Sequence, residues 1–223
     1  MLRFSLLGIP VGVEWIFWIS TVLLGGGWTA QTQEDWVEVG VWVAVVFVSI
    51  LVHEFGHALA GKKFGARPVV RLHSLGGMTF LPGATFTRAE NLFVCAAGPL
   101  AGLALGAAVF ALARFVPEDY GWIRVAIHFA LYVNFFWTFL NLLPIQPLDG
   151  GQILRLTLGS NRLRLAGWIG AVLAVALCVW AWSHQQFFLA LFFGFLAYHN
   201  FQMRPTPGGV VTETIEQPND VNR

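Results

Sequence analysis

The sequence predicts an all-α polytopic membrane protein of about six transmembrane helices, with a small membrane-associated β-hairpin or sheet on the cytoplasmic side. Three observations predict it. Hydrophobic residues make up 57% of the chain and charged residues only 11%, with a mean hydropathy of +0.66, all far from the averages of a soluble domain. About six apolar stretches approach the roughly 20 residues that a helix needs to cross a hydrocarbon core of about 30 Å. Basic residues collect in alternate connecting segments, the distribution that fixes orientation across a bilayer.

The first expected span lies near 11–27. Arg3 and the apolar residues after it resemble a leader, but Glu14 interrupts the run and one positive charge makes a poor n-region, so the segment is read as a membrane helix. The second span, near 39–61, is apolar except for a small polar cluster, and the basic segment 62–90 follows with Lys62, Lys63, Arg67, Arg71 and Arg88. Inside that segment, 66–83 holds two strand-like runs, VVRL and MTFL, around Gly76 and Gly77, which reads as a hairpin. Spans near 91–114 and 122–143 come next. Pro144 and Pro147 stop the latter, and Gly150 with Gly151 reads as a tight turn. The segment 144–164 is again basic, through Arg155, Arg162 and Arg164, and spans near 165–182 and 186–201 complete the set.

The opposite connections carry Glu34, Asp35, Glu38, Glu118 and Asp119, or the uncharged SHQQ before the last span. Both termini are therefore expected in the cytoplasm. Residues 1–203 read as one membrane-embedded domain and 204–223, polar and rich in Pro, Gly and Thr, as a disordered cytoplasmic tail. Cys95 and Cys178 fall inside spans with no CxxC spacing and read as packing residues. Trp15, Trp28 and Trp36 stand near the expected interfaces, as in an aromatic belt.

The second span contains His53, Glu54 and His57 as HEFGH, the pattern HExxH set where charge is costly. Histidines at i and i+4 lie one turn apart on one helix face, so their ring nitrogens can converge on one metal ion. Glu54 sits beside that face, placed to take a proton from water as a general base without itself ligating. A catalytic zinc ion has three protein ligands and one open position, so a third ligand is needed. Asp149 in NLLPIQPLDGG, 141–151, is the candidate, because the second and fourth spans run in the same direction and both motifs reach their cytoplasmic ends. By helical rise, His57 and His53 lie about 7 to 14 Å before Lys62. His128 and His199 lack metal-ligand spacing and read as hydrogen-bonded or interfacial residues.

Together these residues resemble the site-2 protease family of intramembrane zinc metalloproteases, in its compact branch without an inserted PDZ domain. HEFGH resembles the family's HExxH, NLLPIQPLDGG its second motif, and GIPVGVEW and AAGPLAG extend the likeness over most of 1–201. The resemblance implies that His53, His57 and Asp149 bind Zn2+, that Glu54 activates water, and that Asn141 and Pro147 help to position substrate. Glu14 stands where relatives often carry His, and its role is open. The implied function is hydrolysis of peptide bonds in or near the transmembrane segments of membrane-anchored proteins, as in regulated intramembrane proteolysis. The implied location is the lipid bilayer of a prokaryotic cell membrane. Membrane-anchored proteins are the expected partners, with homo-oligomerisation left open and no nucleic acid expected.

Hydrolysis needs water, so the spans must enclose a polar cavity open to the cytoplasm. A substrate helix must also unwind, and the hairpin around Gly76 and Gly77 offers a strand edge on which unwound substrate can pair. Two other readings use the same residues. A catalytically silent protein that binds transmembrane helices would be expected to lose Glu54, which is present. A metal or proton carrier needs polar groups across the whole bilayer, whereas here they cluster on one side.

Overall fold

Two capping boxes start the two longest helices. Thr32 accepts from the Asp35 N–H while Asp35 accepts from the Thr32 N–H, and Thr87 and Glu90 repeat the arrangement, which satisfies N–H groups that a helix start leaves without partners. From these caps run α2 (Gln33–Lys63) and α3 (Arg88–Ala113). The computed structural model describes residues 1–202 apart from 75 and 118, so the expectation of a disordered tail at 204–223 lies outside the described residues. α4 (Gly121–Tyr132) continues without a break through a π-helical turn, Val133–Trp137, into α5 (Thr138–Asn141). After a loop come α6 (Asp149–Leu158), α7 (Leu163–Ser183) and α8 (Phe187–Phe201).

Among the described residues, four helical stretches are long and apolar enough to cross a membrane: Gln33–Lys63, Arg88–Ala113, Gly121–Asn141 and Leu163–Ser183. The chain is an integral membrane protein. Large side chains on the outer faces of the last two helices bear this out, with Val172 63% and Leu191 76% exposed, surface that lipid solvates and water does not.

The expectation of about six spans is met only in part. α1 (Trp15–Leu24) has 10 residues and α8 has 15, which rise about 15 and 22 Å against a hydrocarbon core of about 30 Å. The first three residues of the stretch expected at 11–27 belong instead to a strand. Hydropathy registers apolar content but not its period, and Ile9, Val11 and Val13 alternate as a strand requires.

The expected hairpin is present, as half of a four-stranded sheet ordered β1-β2-β3-β4: β1 (Leu2–Leu6), β2 (Ile9–Val13), β3 (Val69–His73) and β4 (Gly76–Phe80). β1 and β2 are antiparallel around Leu7 and Gly8, both at positive φ, the backbone of a tight two-residue hairpin turn. β2 and β3 are parallel, with Val11 opposite Val70, and β3 and β4 are antiparallel, with Leu72 opposite Gly77.

Two separate apolar clusters hold the molecule. One joins Ile9, Val11, Val13, Val70 and Leu72 of the sheet to Phe17 of α1 and to Ile50, Phe55 and Ala58 of α2. The other gathers Ala174, Phe193, Leu196 and Ala197 of α7 and α8 around Ile145, a fully buried residue of the loop before α6.

Candidate metal centre

His53 and His57 occupy successive turns of α2, buried at 8% and 9% exposure, and their Nε2 atoms face each other at 3.2 Å. Asp149 reaches them from the start of α6, with Oδ2 3.1 Å from His53 Nε2 and Oδ1 3.4 Å from His57 Nε2. Bringing two imidazoles and a carboxylate together in an apolar bundle is costly unless a cation neutralises them.

The orientation of His57 follows from its other nitrogen. Nδ1 lies 2.8 Å from the Val94 carbonyl O. A carbonyl only accepts, so Nδ1 carries a proton and Nε2, which faces the cluster, is the nitrogen left to ligate a metal. α3 comes this close because of Gly98, where a Cβ would collide with His57 Nε2.

The expected turn at Gly150 and Gly151 is overturned. Both lie in the first turn of α6 and are buried. A Cβ on either would strike the backbone of the preceding loop, at Leu142 O for Gly150 and at Ile145 C for Gly151. These glycines let a helix start directly against its own approach loop, which sets Asp149 at the helix N-terminus, where a carboxylate is favoured. That loop is tied down from behind. Asn200 of α8, 1% exposed, accepts from the Gln146 N–H at 3.0 Å and donates to the Gln146 carbonyl at 2.7 Å.

Glu54 is 5% exposed and lies under β4. Thr79 Oγ1 donates to Glu54 Oε2 at 2.6 Å and is 3.0 Å from the Glu54 carbonyl O. Gly77, two residues earlier and therefore on the same strand face, has no room for a side chain, because a Cβ would run into the Glu54 carboxylate. Gly76 begins the strand at φ +132, a conformation that favours glycine.

Of the residues singled out in the sequence, the fold brings together His53, His57, Asp149, Glu54 and Gly77. Asn141, half-buried at the end of α5, makes no side-chain hydrogen bond among the described residues, and Pro147 is exposed. The contact of Thr79 with Glu54 and the role of Gly98 escape the sequence reading. Their signals are weak: a polar residue two places from Gly77, and an AAGPLAG run whose small residues allow close helix contact.

The three ligand atoms suit a metal ion. The His53, His57 and Asp149 atoms all lie within 4.8 Å of one another, a group that can hold an ion. Tetrahedral coordination with bonds of about 2.0–2.1 Å separates neighbouring ligand atoms by about 3.3 Å, and the observed separations are 3.1 to 3.4 Å.

The sequence profile of peptidase family M50 matches residues 118–179. A zinc metalloprotease of Methanocaldococcus jannaschii is 25% identical over 194 residues, 84% of this chain and 56% of that protein. Rip3 of Mycobacterium tuberculosis, which carries a zinc metalloprotease name, is 34% identical over 163 residues, 66% of this chain and 41% of its own length. These matches are to peptidase family M50, the site-2 proteases. The solved structure of the site-2 protease from M. jannaschii has the same fold, with a TM-score of 0.63 at 24% identity, covering 92% of this chain and 97% of that one. The chain spans about half the length of the curated relatives it matches. The profile match takes in Asp149 and stops short of HEFGH, which lies 61 residues before its start when counted from His57.

Proposed function

We propose that this protein is an intramembrane zinc endopeptidase that hydrolyses peptide bonds in or near the transmembrane segments of membrane-anchored proteins. The observation that carries the reading is the convergence of His53, His57 and Asp149 at tetrahedral spacing with Glu54 buried beside them. The zinc metalloprotease names of the relatives support it. His53, His57 and Asp149 would hold the ion, which supplies a Lewis acid that makes water a nucleophile near neutral pH.

The protein's own groups do the rest. Glu54, one residue along α2 from His53, takes the proton at its carboxylate and can return it to the leaving amine. Thr79 holds Oε2 by its hydroxyl, which leaves Oε1 for that exchange. Asn141, with no side-chain partner of its own among the described residues, and Pro147, exposed on the same loop, are positioned to meet substrate. The outer edge of β4 would receive the unwound segment as an added strand. Backbone N-methylation of a substrate on alternate residues beside the cut should slow cleavage, and equal rates would exclude strand pairing.

The same reading places the protein in a prokaryotic cell membrane with six membrane-embedded helices. The short α1 and α8 lie beside the four long spans, and both termini face the cytoplasm, as the basic segments 62–90 and 144–164 support. Single cysteines at residues 30 and 63 should react with impermeant reagent from opposite sides of sealed vesicles; labelling from one side would reverse or break this topology.

The deciding experiment compares wild type with Glu54→Gln in proteoliposomes containing a membrane-anchored reporter. Cleavage should be lost while about one zinc per chain is retained. Cleavage that survives the change would overturn the role of Glu54, and zinc-free, well-folded wild type would favour a silent helix-binding protein.

A further inference from the structure

A small pocket with polar and apolar walls lies on the side of His53 away from Asp149. It has a volume of about 10 Å³ and is lined by Ser49, His53, Gly102, Asn134 and Thr138 together with apolar neighbours. That is room for a single water molecule. The polar atoms around it are unevenly matched. Asn134, 3% exposed, donates through Nδ2 to Ser49 Oγ at 2.9 Å and to the Ala130 carbonyl at 2.8 Å, which uses both its protons and leaves Oδ1 as an acceptor. Thr138 is 2% exposed, and its hydroxyl makes no hydrogen bond among the described residues and lines the pocket.

His53 supplies the third side. Its Nε2 faces His57 and Asp149, so a ligating His53 must carry its proton on Nδ1. Ligating histidines almost always donate that second N–H to a carboxylate, a carbonyl or a water. His57 does so to Val94; for His53 the structure offers the pocket. The position a Cβ would take on Gly102 marks the convergence, at 2.8 Å from Thr138 Oγ1, 3.8 Å from His53 Nδ1 and 4.0 Å from Asn134 Oδ1.

We propose that this pocket binds one water molecule that accepts the His53 Nδ1 proton and is held by Thr138 and Asn134, making these two positioning residues for the metal ligand His53. The balance closes. The water accepts from Nδ1–H, donates to Asn134 Oδ1 and bonds the Thr138 hydroxyl, within the two to four partners that a buried water takes. Asn134 lies within the π-helical turn Val133–Trp137 and Thr138 directly follows it, so both side chains reach one spot. Such turns recur at functional sites. Gly102 is required because any side chain there takes the place of the water.

The inference rests on the metal assignment above, and its test separates the two. Cobalt(II) is loaded into detergent-purified wild type, Thr138→Val, Thr138→Ser and Gly102→Ala, with affinity measured by chelator competition and the paramagnetically shifted imidazole N–H resonances recorded by NMR. Failure of folded wild type to bind cobalt or zinc would remove the metal assignment itself. With metal bound, Thr138→Val and Gly102→Ala should weaken affinity about 10- to 100-fold, the usual effect of removing such an outer partner, and Thr138→Ser should stay near wild type. The His53 N–H resonance should exchange with solvent faster than that of His57 and should shift in Thr138→Val while His57 stays put. Affinity within twofold of wild type and an unmoved His53 resonance in both Thr138→Val and Gly102→Ala would overturn the proposal. Thr138→Val conserves shape and Gly102→Ala keeps every polar group, so loss of folding in one leaves the other to decide.

Discussion

At the scale of single residues, Thr79 separates a carboxylate that is merely close from one that is held. Its hydroxyl is the only side chain among the described residues that hydrogen-bonds the Glu54 carboxylate. Hydrogen bonds to charged groups contribute about 1.5–3 kcal/mol, so Thr79→Val should reduce turnover about tenfold or more with zinc content unchanged, and Thr79→Ser should restore most of it. Equal turnover in Val and Ser variants, measured on the same reporter, would remove Thr79 from the site. HEFGH was legible because the helical repeat alone puts His53 and His57 on one face. Thr79 was not, because the pairing of a strand face with a helix depends on how the sheet crosses α2, which no local period encodes. Asp149 became legible only through depth in the membrane, and the role of its glycines was misread as a turn because Asp-Gly pairs serve both purposes.

At the scale of elements, the loop before α6 is clamped by α8. Asn200 meets both backbone groups of Gln146, three residues before Asp149, and Ile145 anchors the same loop in the α7 and α8 cluster. Asn200→Leu keeps the branched shape but leaves a buried N–H and C=O without partners, at about 1–3 kcal/mol each. The variant should unfold at lower denaturant and bind zinc more weakly. Weakened stability with unchanged zinc affinity, from unfolding curves and chelator competition, would show that the clamp supports the bundle and not Asp149. The helices themselves were largely readable, since α2, α3, α4 with α5, and α7 fall where apolar length predicts. The sheet's N-terminal half and α6 were not. Short strands and a ten-residue helix at a membrane surface differ little in composition from span ends and basic loops.

At the scale of the whole molecule, the ligands divide between two apolar clusters. His53 and His57 belong to the body built on the sheet and α2, and Asp149 to the loop anchored in α7 and α8. A metal held by both should stabilise the folded chain as a whole, by about 4 kcal/mol at a concentration 1,000 times its dissociation constant. Zinc should therefore raise the midpoint of thermal unfolding in wild type and leave Asp149→Ala nearly unmoved, and an equal rise in both would place the stabilising ion elsewhere. The 96 residues that separate His53 from Asp149 also order events in time. A chain emerging from the ribosome delivers Glu54 and two proposed ligands to the membrane long before the third is made, and Asn200, which holds the loop before that third residue, comes later still. If the chain is the hydrolase proposed above, it stays inert beside the translocating helices of its neighbours, and of itself, until Asp149 and the helix that clamps its loop have been made.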